Sequence, residues 1–339
     1  MAVALLENAS PTAVDSIQVV QPLFPHTAQL LGSSFEIINR TGRLFLSNAQ
    51  ASLFRKISVT DENGLTREIG IPNERSLTVY LDKKEVITLM TLGQAPELLV
   101  LGYLRNQELV PSLDCVASIT VDWEVGAVAV VTHTGSAAEP QIQSSNSSST
   151  KAGSSSEVSS QRRTVTSGCG QGSMFSHLME NIRHLSLPNL KVSQAQLFSV
   201  IDEIREHASV YKHSGSVHAC ALFALNTTTS TATLRIFVED VGRHNALDTI
   251  AGWMWIQENL ALYSSALVAE QASYLLYTTG RLTSEMMIKS AQMQVPIVMS
   301  RSGTTEMGLQ VAEQLGICAI GRAAHRRYLC FTGGDRIVR

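Results

Sequence analysis

From Glu74 onward the chain alternates apolar and polar positions with a period of two. Leu77, Val79 and Leu81 face one way, Asp82 to Lys84 suit a turn, and residues 86–92 supply a partner strand. Pro96 then opens a helix running to about Gln107, since proline is favoured in a first helical turn. Between Cys115 and Thr132 the alternation returns at Ile119, Val121, Trp123 and Val125, and Gly126 marks a bend between two further strands. These elements predict a small strand-rich domain with one helix over residues 56–135. Residues 1–55 show little periodicity and few charges, and are set apart as an N-terminal extension.

In the second half the periods of two and 3.6 take turns. The pattern predicts a helix over 193–212, strands at 217–225 and 233–239, and a helix over 243–257. A strand at 273–278, a helix at 283–294, a strand at 295–299, a helix at 305–315 and a strand at 317–320 complete it. Helices alternating with short apolar strands imply crossover units, hence an α/β domain over residues 166–339 with a largely parallel sheet covered on both faces.

Composition bounds what lies between and around these parts. Ten of the seventeen residues from 144 to 160 are serine, so no apolar face exists there to offset ordering entropy, and residues 136–165 are expected to be a flexible linker. The 339 residues are 44% hydrophobic and 16% charged, enough for a substantial core. A net charge of -3 provides no general basic field for nucleic acid or a membrane surface, so neither is expected as a partner and any anion site must be local. The first basic residue is Arg40, which argues against a signal or transit peptide, and no apolar run approaches a bilayer span, so a cytoplasmic protein is expected. Five widely spaced cysteines, at 115, 169, 220, 318 and 330, point to thiols rather than a disulfide scaffold. No close Cys pair or His/Cys-x-Glu pattern supports a metal site, and zinc is not expected.

Three strand-end corners share one chemistry. The first carries Arg281, Thr283 and Ser284, the second Arg301 and Ser302, and the third Arg322, Ala323, Ala324, His325, Arg326 and Arg327. Carboxyl ends of parallel strands converge on one edge, where helix N-termini and hydroxyls bind phosphate oxygens and arginine adds bidentate donors. Helix capping with solvated arginines is the better account of any single corner taken alone. Three corners together favour a multiply phosphorylated ligand such as a nucleotide-containing cofactor. A further cluster, Glu239 to Asp248 with His244 inside it, follows a strand and opens a helix, which suits either acid–base chemistry or an acid-rich helix start with local salt bridges. His218, in an apolar strand, reads as a core residue. Cys220, Cys318 and Cys330 lie in apolar strand contexts that suit buried, inert thiols. Cys169 differs: it lies in the run SGCGQGS beside the serine-rich segment, sterically open, which suits either a thiolate that collects and passes on a sulfur atom or an incidental loop cysteine.

From Glu74 onward the chain resembles the formate dehydrogenase accessory sulfurtransferase family, called FdhD. The motifs that carry the likeness include ERSLTVYLDKKEVITLMTLG from Glu74, SGCGQGS from Ser167, EDVGRHNALD from Glu239, TTGRLTSEMMIKSA from Thr278 and IGRAAHRRYLCFTG from Ile320. The resemblance implies a deaminase-like α/β sandwich domain without zinc, a smaller strand-rich domain and a homodimer. It also implies that sulfur passes from a cysteine desulfurase, as a persulfide on Cys169, to the molybdenum cofactor bearing two molybdopterin guanine dinucleotides, which then enters formate dehydrogenase. The stretch from Arg322 to Arg327 matches the family's cofactor-binding segment. Gly172 stands where many members have the second cysteine of a Cys-x-x-Cys loop, leaving Cys169 to carry sulfur alone. A protein that only holds the cofactor for insertion is the alternative, and sulfur uptake at Cys169 separates the two.

Overall fold

The computed structural model describes residues 29–31, 34–39, 42–133, 185–207, 215–226, 228–263 and 273–339. The first half forms a seven-stranded sheet from β1 (Gln29–Leu31), β2 (Ser34–Asn39), β3 (Gly42–Ser47), β6 (Arg75–Leu81), β7 (Lys84–Thr91), β8 (Val116–Asp122) and β9 (Ala127–Thr132). Its spatial order is β1-β2-β3-β8-β9-β6-β7. A separate hairpin, β4 (Phe54–Thr60) with β5 (Thr66–Pro72), precedes β6. The alternation predicted from Leu77 is realised: Leu77, Val79 and Leu81 are buried, as are Ile87 and Leu89 on the paired strand. Helix α1 (Pro96–Asn106) begins at its proline and is buried on nearly every side, as expected of a helix lying between two layers.

The boundary drawn at residue 55 changes. β2 and β3 are strands of the first sheet, and Leu44 and Leu46 of β3 are fully buried. β3 pairs in parallel with β8, more than seventy residues further on, a non-local contact that local periodicity does not reveal.

The second half forms a six-stranded sheet from β11 (His218–Asn226), β12 (Thr231–Asp240), β13 (Ser273–Thr278), β14 (Ile297–Ser300), β15 (Cys318–Ala324) and β16 (Arg327–Thr332), in the order β12-β11-β13-β14-β15-β16. Only β13, β14 and β15 run parallel, and the other pairings are antiparallel. The expected α/β architecture is present, while "largely parallel" is corrected to mixed. Two hairpins flank a parallel centre, and hairpins and crossovers have the same apolar strand signature. Short strands β10 (Val192–Ser193) and β17 (Ile337–Val338) pair in parallel beside this sheet.

Both faces are covered. Helix α2 (Gln194–Glu206), opened by a reciprocal Ser193–Gln196 capping box, puts Leu197, Val200 and Ile201 against Phe223, Leu275 and Met299. Helices α3 (Arg243–Tyr263), α4 (Ser284–Gln292) and α5 (Glu306–Leu315) supply Leu247, Met286 and Val311 to a core on the opposite side, which also contains Leu98 and Leu101 of α1. The two halves therefore share one core. No helix among the described residues is long and apolar enough to cross a membrane. The linker assigned to 136–165 lies outside the described residues.

That shared core depends on α1 crossing α3 with almost no side chain between them. A Cβ at Gly102 would overlap the Asp248 carbonyl oxygen and lie 2.7 Å from the Gly252 nitrogen; one at Gly252 would overlap the Leu98 carbonyl oxygen. The obstructing atoms are backbone and cannot rotate away. Gly102→Ala and Gly252→Ala are expected to destabilise the protein by about 1–3 kcal/mol or more, the usual range for overpacking. Gly303→Ala is the control, since nothing lies within 4 Å of its Cβ position. Urea unfolding of the three variants checks this, with only the control expected to keep the parent midpoint.

Candidate functional site

The parallel centre of the second sheet brings the three corners together. Thr278 of β13 lies in register with Ser300 of β14. The Arg301 amide donates to the Thr278 carbonyl at 3.0 Å, and the Arg322 amide donates to the Ser302 carbonyl at 2.7 Å. Leu282 N–H bonds to the Gly303 carbonyl at 3.0 Å, joining the first corner to the second. Along this stitched edge Arg281, Arg301, Arg322, His325, Arg326 and Arg327 are exposed.

The hydroxyls expected to meet phosphate are occupied differently. Ser302 Oγ donates to the Thr279 carbonyl at 2.8 Å, and Ser300 Oγ to the Gly280 carbonyl at 2.6 Å. Thr305 caps α5 by accepting from Gly308 N–H at 3.1 Å. Thr283 stands at the N-cap of α4 without a capping bond, its Oγ1 buried and lacking a hydrogen-bond partner, and Ser284 opens the helix. Neutral hydroxyls satisfy backbone carbonyls here, so a ligand at this edge would meet chiefly guanidinium groups.

The third corner is a hairpin tip, not a strand-to-helix turn. β15 continues to Ala324, which pairs with Arg327 across His325 and Arg326. Both tip residues have positive φ, 50° and 55°, as a two-residue hairpin turn of the primed type requires. Ala323 is buried, only 2% exposed, and packs into the core, so its side chain is removed from the candidate contacts. Arg326 is committed to Asp202 of α2, with Nε and Nη2 donating to Oδ2 at 2.9 and 2.7 Å.

The Glu239 to Asp248 cluster is mostly a buried joint. The Asp240 carboxylate accepts from Thr91 Oγ1 at 2.5 Å and from the Leu92 amide at 3.2 Å, at the end of β7. It also accepts from the Gly242 amide at 3.1 Å and Asn245 Nδ2 at 3.0 Å. Burial pushes its pKa up to about 6, against the pull of those four donors. Asp248 accepts from Asn106 Nδ2 of α1 at 2.7 Å and from Lys289 Nζ of α4 at 2.8 Å. Burial opposes the Lys289 ammonium, but Asp248 and Glu285 outweigh it and hold its pKa above the usual lysine value. His244, placed among the ligand contacts by sequence, is buried at 7% exposure with Nε2 3.4 Å from Glu285 Oε2. Burial drives its pKa down to about 3, so the imidazole is neutral near pH 7. His218 is half-buried, and after burial it is the Arg243 and Arg281 guanidiniums that lower its pKa, placing it beside the first corner.

Sequence reasoning missed Lys289 and Asn106, although a lysine four residues after Glu285 within an apolar helix signals a buried partner. It also missed Asp202 and Phe198, whose only signal is their one-turn spacing on α2. Cys169 lies outside the described residues. Of the described thiols, Cys220 and Cys318 are buried as expected, whereas Cys330 is exposed on the edge strand β16 and departs from the expectation. No group of three or more His, Cys, Asp or Glu among the described residues is arranged to hold a metal ion.

Comparison with known proteins follows the same lines. A sulfur carrier protein FdhD from Halalkalibacterium halodurans is 26% identical over 296 residues, covering 86% of this chain and 97% of its own. The sulfur carrier protein FdhD of Bacillus licheniformis is 26% identical over 286 residues, covering 84% of this chain and 96% of its own. A crystal structure described as a formate dehydrogenase accessory protein, from Desulfotalea psychrophila, superposes with a TM-score of 0.59 at 21% identity, covering 85% of this chain and 99% of that one, a likeness of fold. The model of the FdhD/NarQ family matches residues 72–338. With the two large sheets, the five helices of the described residues and the arginine edge inside or overlapping that span, the chain belongs to the FdhD/NarQ family.

Proposed function

We propose that this protein is a sulfur carrier serving a molybdenum-dependent formate dehydrogenase. Cys169 takes sulfur from a cysteine desulfurase, and the arginine edge holds the substrate, the molybdenum cofactor with its two guanine dinucleotides. In the first step the Cys169 thiolate attacks the outer sulfur of the desulfurase persulfide, forming the Cys169 persulfide and releasing the desulfurase thiolate. The S–S bond of that persulfide then breaks: Cys169 leaves as its thiolate and the outer sulfur passes to the bound cofactor, whose reduced molybdenum would supply the two electrons that turn it into sulfide. The sulfurated cofactor is delivered to the dehydrogenase. The carrier works as a cytoplasmic homodimer and as a sulfurtransferase.

One observation carries this reading: Arg281, Arg301, Arg322 and Arg327 are exposed on corners bonded to one another along a single sheet edge. A protein of net charge -3 has concentrated cations where a ligand with two diphosphates needs them. Three of the four other thiols support the choice of Cys169. Burial raises the Cys220 thiol to about 12 and raises Cys318 and Cys330 as well. These sulfurs stay protonated near pH 7, and a protonated thiol is a poor nucleophile.

After incubation with a desulfurase and cysteine, intact-mass spectrometry is expected to find one added sulfur on the parent protein and none on Cys169→Ala. Undiminished uptake by the variant would leave a cofactor-holding chaperone as the better reading. Guanosine diphosphate is expected to bind the edge, and Arg327→Ala to weaken it by about 1.5–3 kcal/mol, the scale of a charged hydrogen bond. Isothermal calorimetry decides the point; equal binding by parent and variant would remove Arg327 from the site.

A further inference from the structure

The hairpin tip is held from outside its own sheet. Phe198 and Asp202 lie one turn apart on α2, on one helix face. Both Nε and Nη2 of Arg326 donate to Asp202 Oδ2, at 2.9 and 2.7 Å. The guanidinium lies over the Phe198 ring, 5.9 Å from its centroid, and the same ring meets Tyr328 of β16 at 6.1 Å. Arg205 approaches the other Asp202 oxygen at 3.5 Å, a looser contact than that of Arg326. The turn needs such support. His325 and Arg326 both occupy the left-handed region without being glycine, a conformation that costs energy unless neighbouring contacts fix it.

We infer that Asp202 and Phe198 are positioning residues: through Arg326 they pin the hairpin tip to α2, so that Arg322 and Arg327 stand beside the Arg281 and Arg301 corners. Arg326 is then an anchor rather than a phosphate contact. This rests on the reading that the edge binds a diphosphate, and it separates sharply from the alternative in which Arg326 itself meets the ligand. If Asp202 merely competes for a ligand-binding arginine, removing its charge frees Arg326 and tightens binding. If Asp202 anchors the tip, removing its charge loosens the tip and weakens binding.

The test uses the full chain with guanosine diphosphate as the probe, alongside amide hydrogen exchange of residues 324–328 without ligand. Asp202→Asn and Arg326→Ala are each expected to weaken binding about two- to five-fold, the range of an exposed ion pair. The double variant is expected to lose no more than either single one, and Asp202→Glu to retain most of the affinity. In both single variants, exchange at the tip should quicken while the melting temperature stays near the parent value. Binding that is tighter in Asp202→Asn, losses that add in the double variant, or unchanged exchange at the tip would each overturn the inference. Absence of guanosine diphosphate binding by the parent would instead remove the diphosphate reading and the positioning role built on it, while quickened exchange would still identify the anchor.

Discussion

The backbone contact between α1 and α3 at Gly102 and Gly252 sets the positions of everything else. Helices that meet without side chains between them bring main-chain atoms close, and the Asp248 carbonyl fills the space a Cβ at 102 would take. The crossing also fixes the Asp248 carboxylate within reach of Asn106 on α1 and of Lys289 on α4. A buried ion pair of this kind is weak evidence of net stabilisation, because removing two charges from water is costly. Its effect is to fix register. An α4 displaced along its axis would strand both charges, and breaking such a pair typically costs about 3–5 kcal/mol. Since α4 begins at Ser284, shortly after Arg281 and directly after its N-cap Thr283, a contact deep between the helices determines where the first corner of the arginine edge stands.

A second joint runs parallel to the first. Asp240 ends β12 and collects donors from the end of β7 and the start of α3, while Asn245 Nδ2 also reaches the Met90 carbonyl at 2.6 Å. The acids that sequence allowed as acid–base catalysts therefore bind the two sheets together. A carboxylate at a helix N-terminus suits the helix dipole and satisfies otherwise orphaned amides. Four donors compensate much of the cost of burying it. His244 belongs to the same interior, neutral because burial outweighs the attraction of Glu285. The cluster's density of polar residues is explained by the number of buried donors at the meeting of β7 and α3.

What sequence could and could not reveal divides along physical lines. Elements whose signal is local were legible: β6 and β7 from strict alternation, α1 from Pro96, and β13, α4, β14 and α5 from their changes of period. The convergence of three corners was legible too, because strand direction follows from crossover helices. Strand pairing across long separations was not, which is why β2 and β3 were set apart although Leu44 and Leu46 are core residues. Nor was the final hairpin. Arg322 to Arg327 looks like a basic loop, because a primed turn built from His325 and Arg326 lacks the glycine or asparagine that normally signals one. The burial of Ala323 and the commitment of Arg326 to Asp202 both follow from that hairpin and were hidden with it. The same edge pairing leaves Cys330 exposed in a run that reads as apolar core.

The division of labour at the edge explains why arginine carries its chemistry. Ser302, Thr304 and Thr305 lie part-buried along the corners and Ser300 is fully buried, and each bonds to main chain within or between the corners. Those bonds hold the backbone of the edge rigid, and rigid backbone fixes the Cα positions from which the long arginine side chains extend. Charge at physiological ionic strength acts over a Debye length of about 8 Å, so an acidic protein attracts a polyphosphate only where several cations stand within that distance. Arg281, Arg301, Arg322 and Arg327 are exposed on corners that main-chain hydrogen bonds hold to one another. On the proposed function, an edge of guanidinium groups would select for charge and its spacing more than for any one hydrogen-bond pattern, as a bulky ligand with two diphosphates requires.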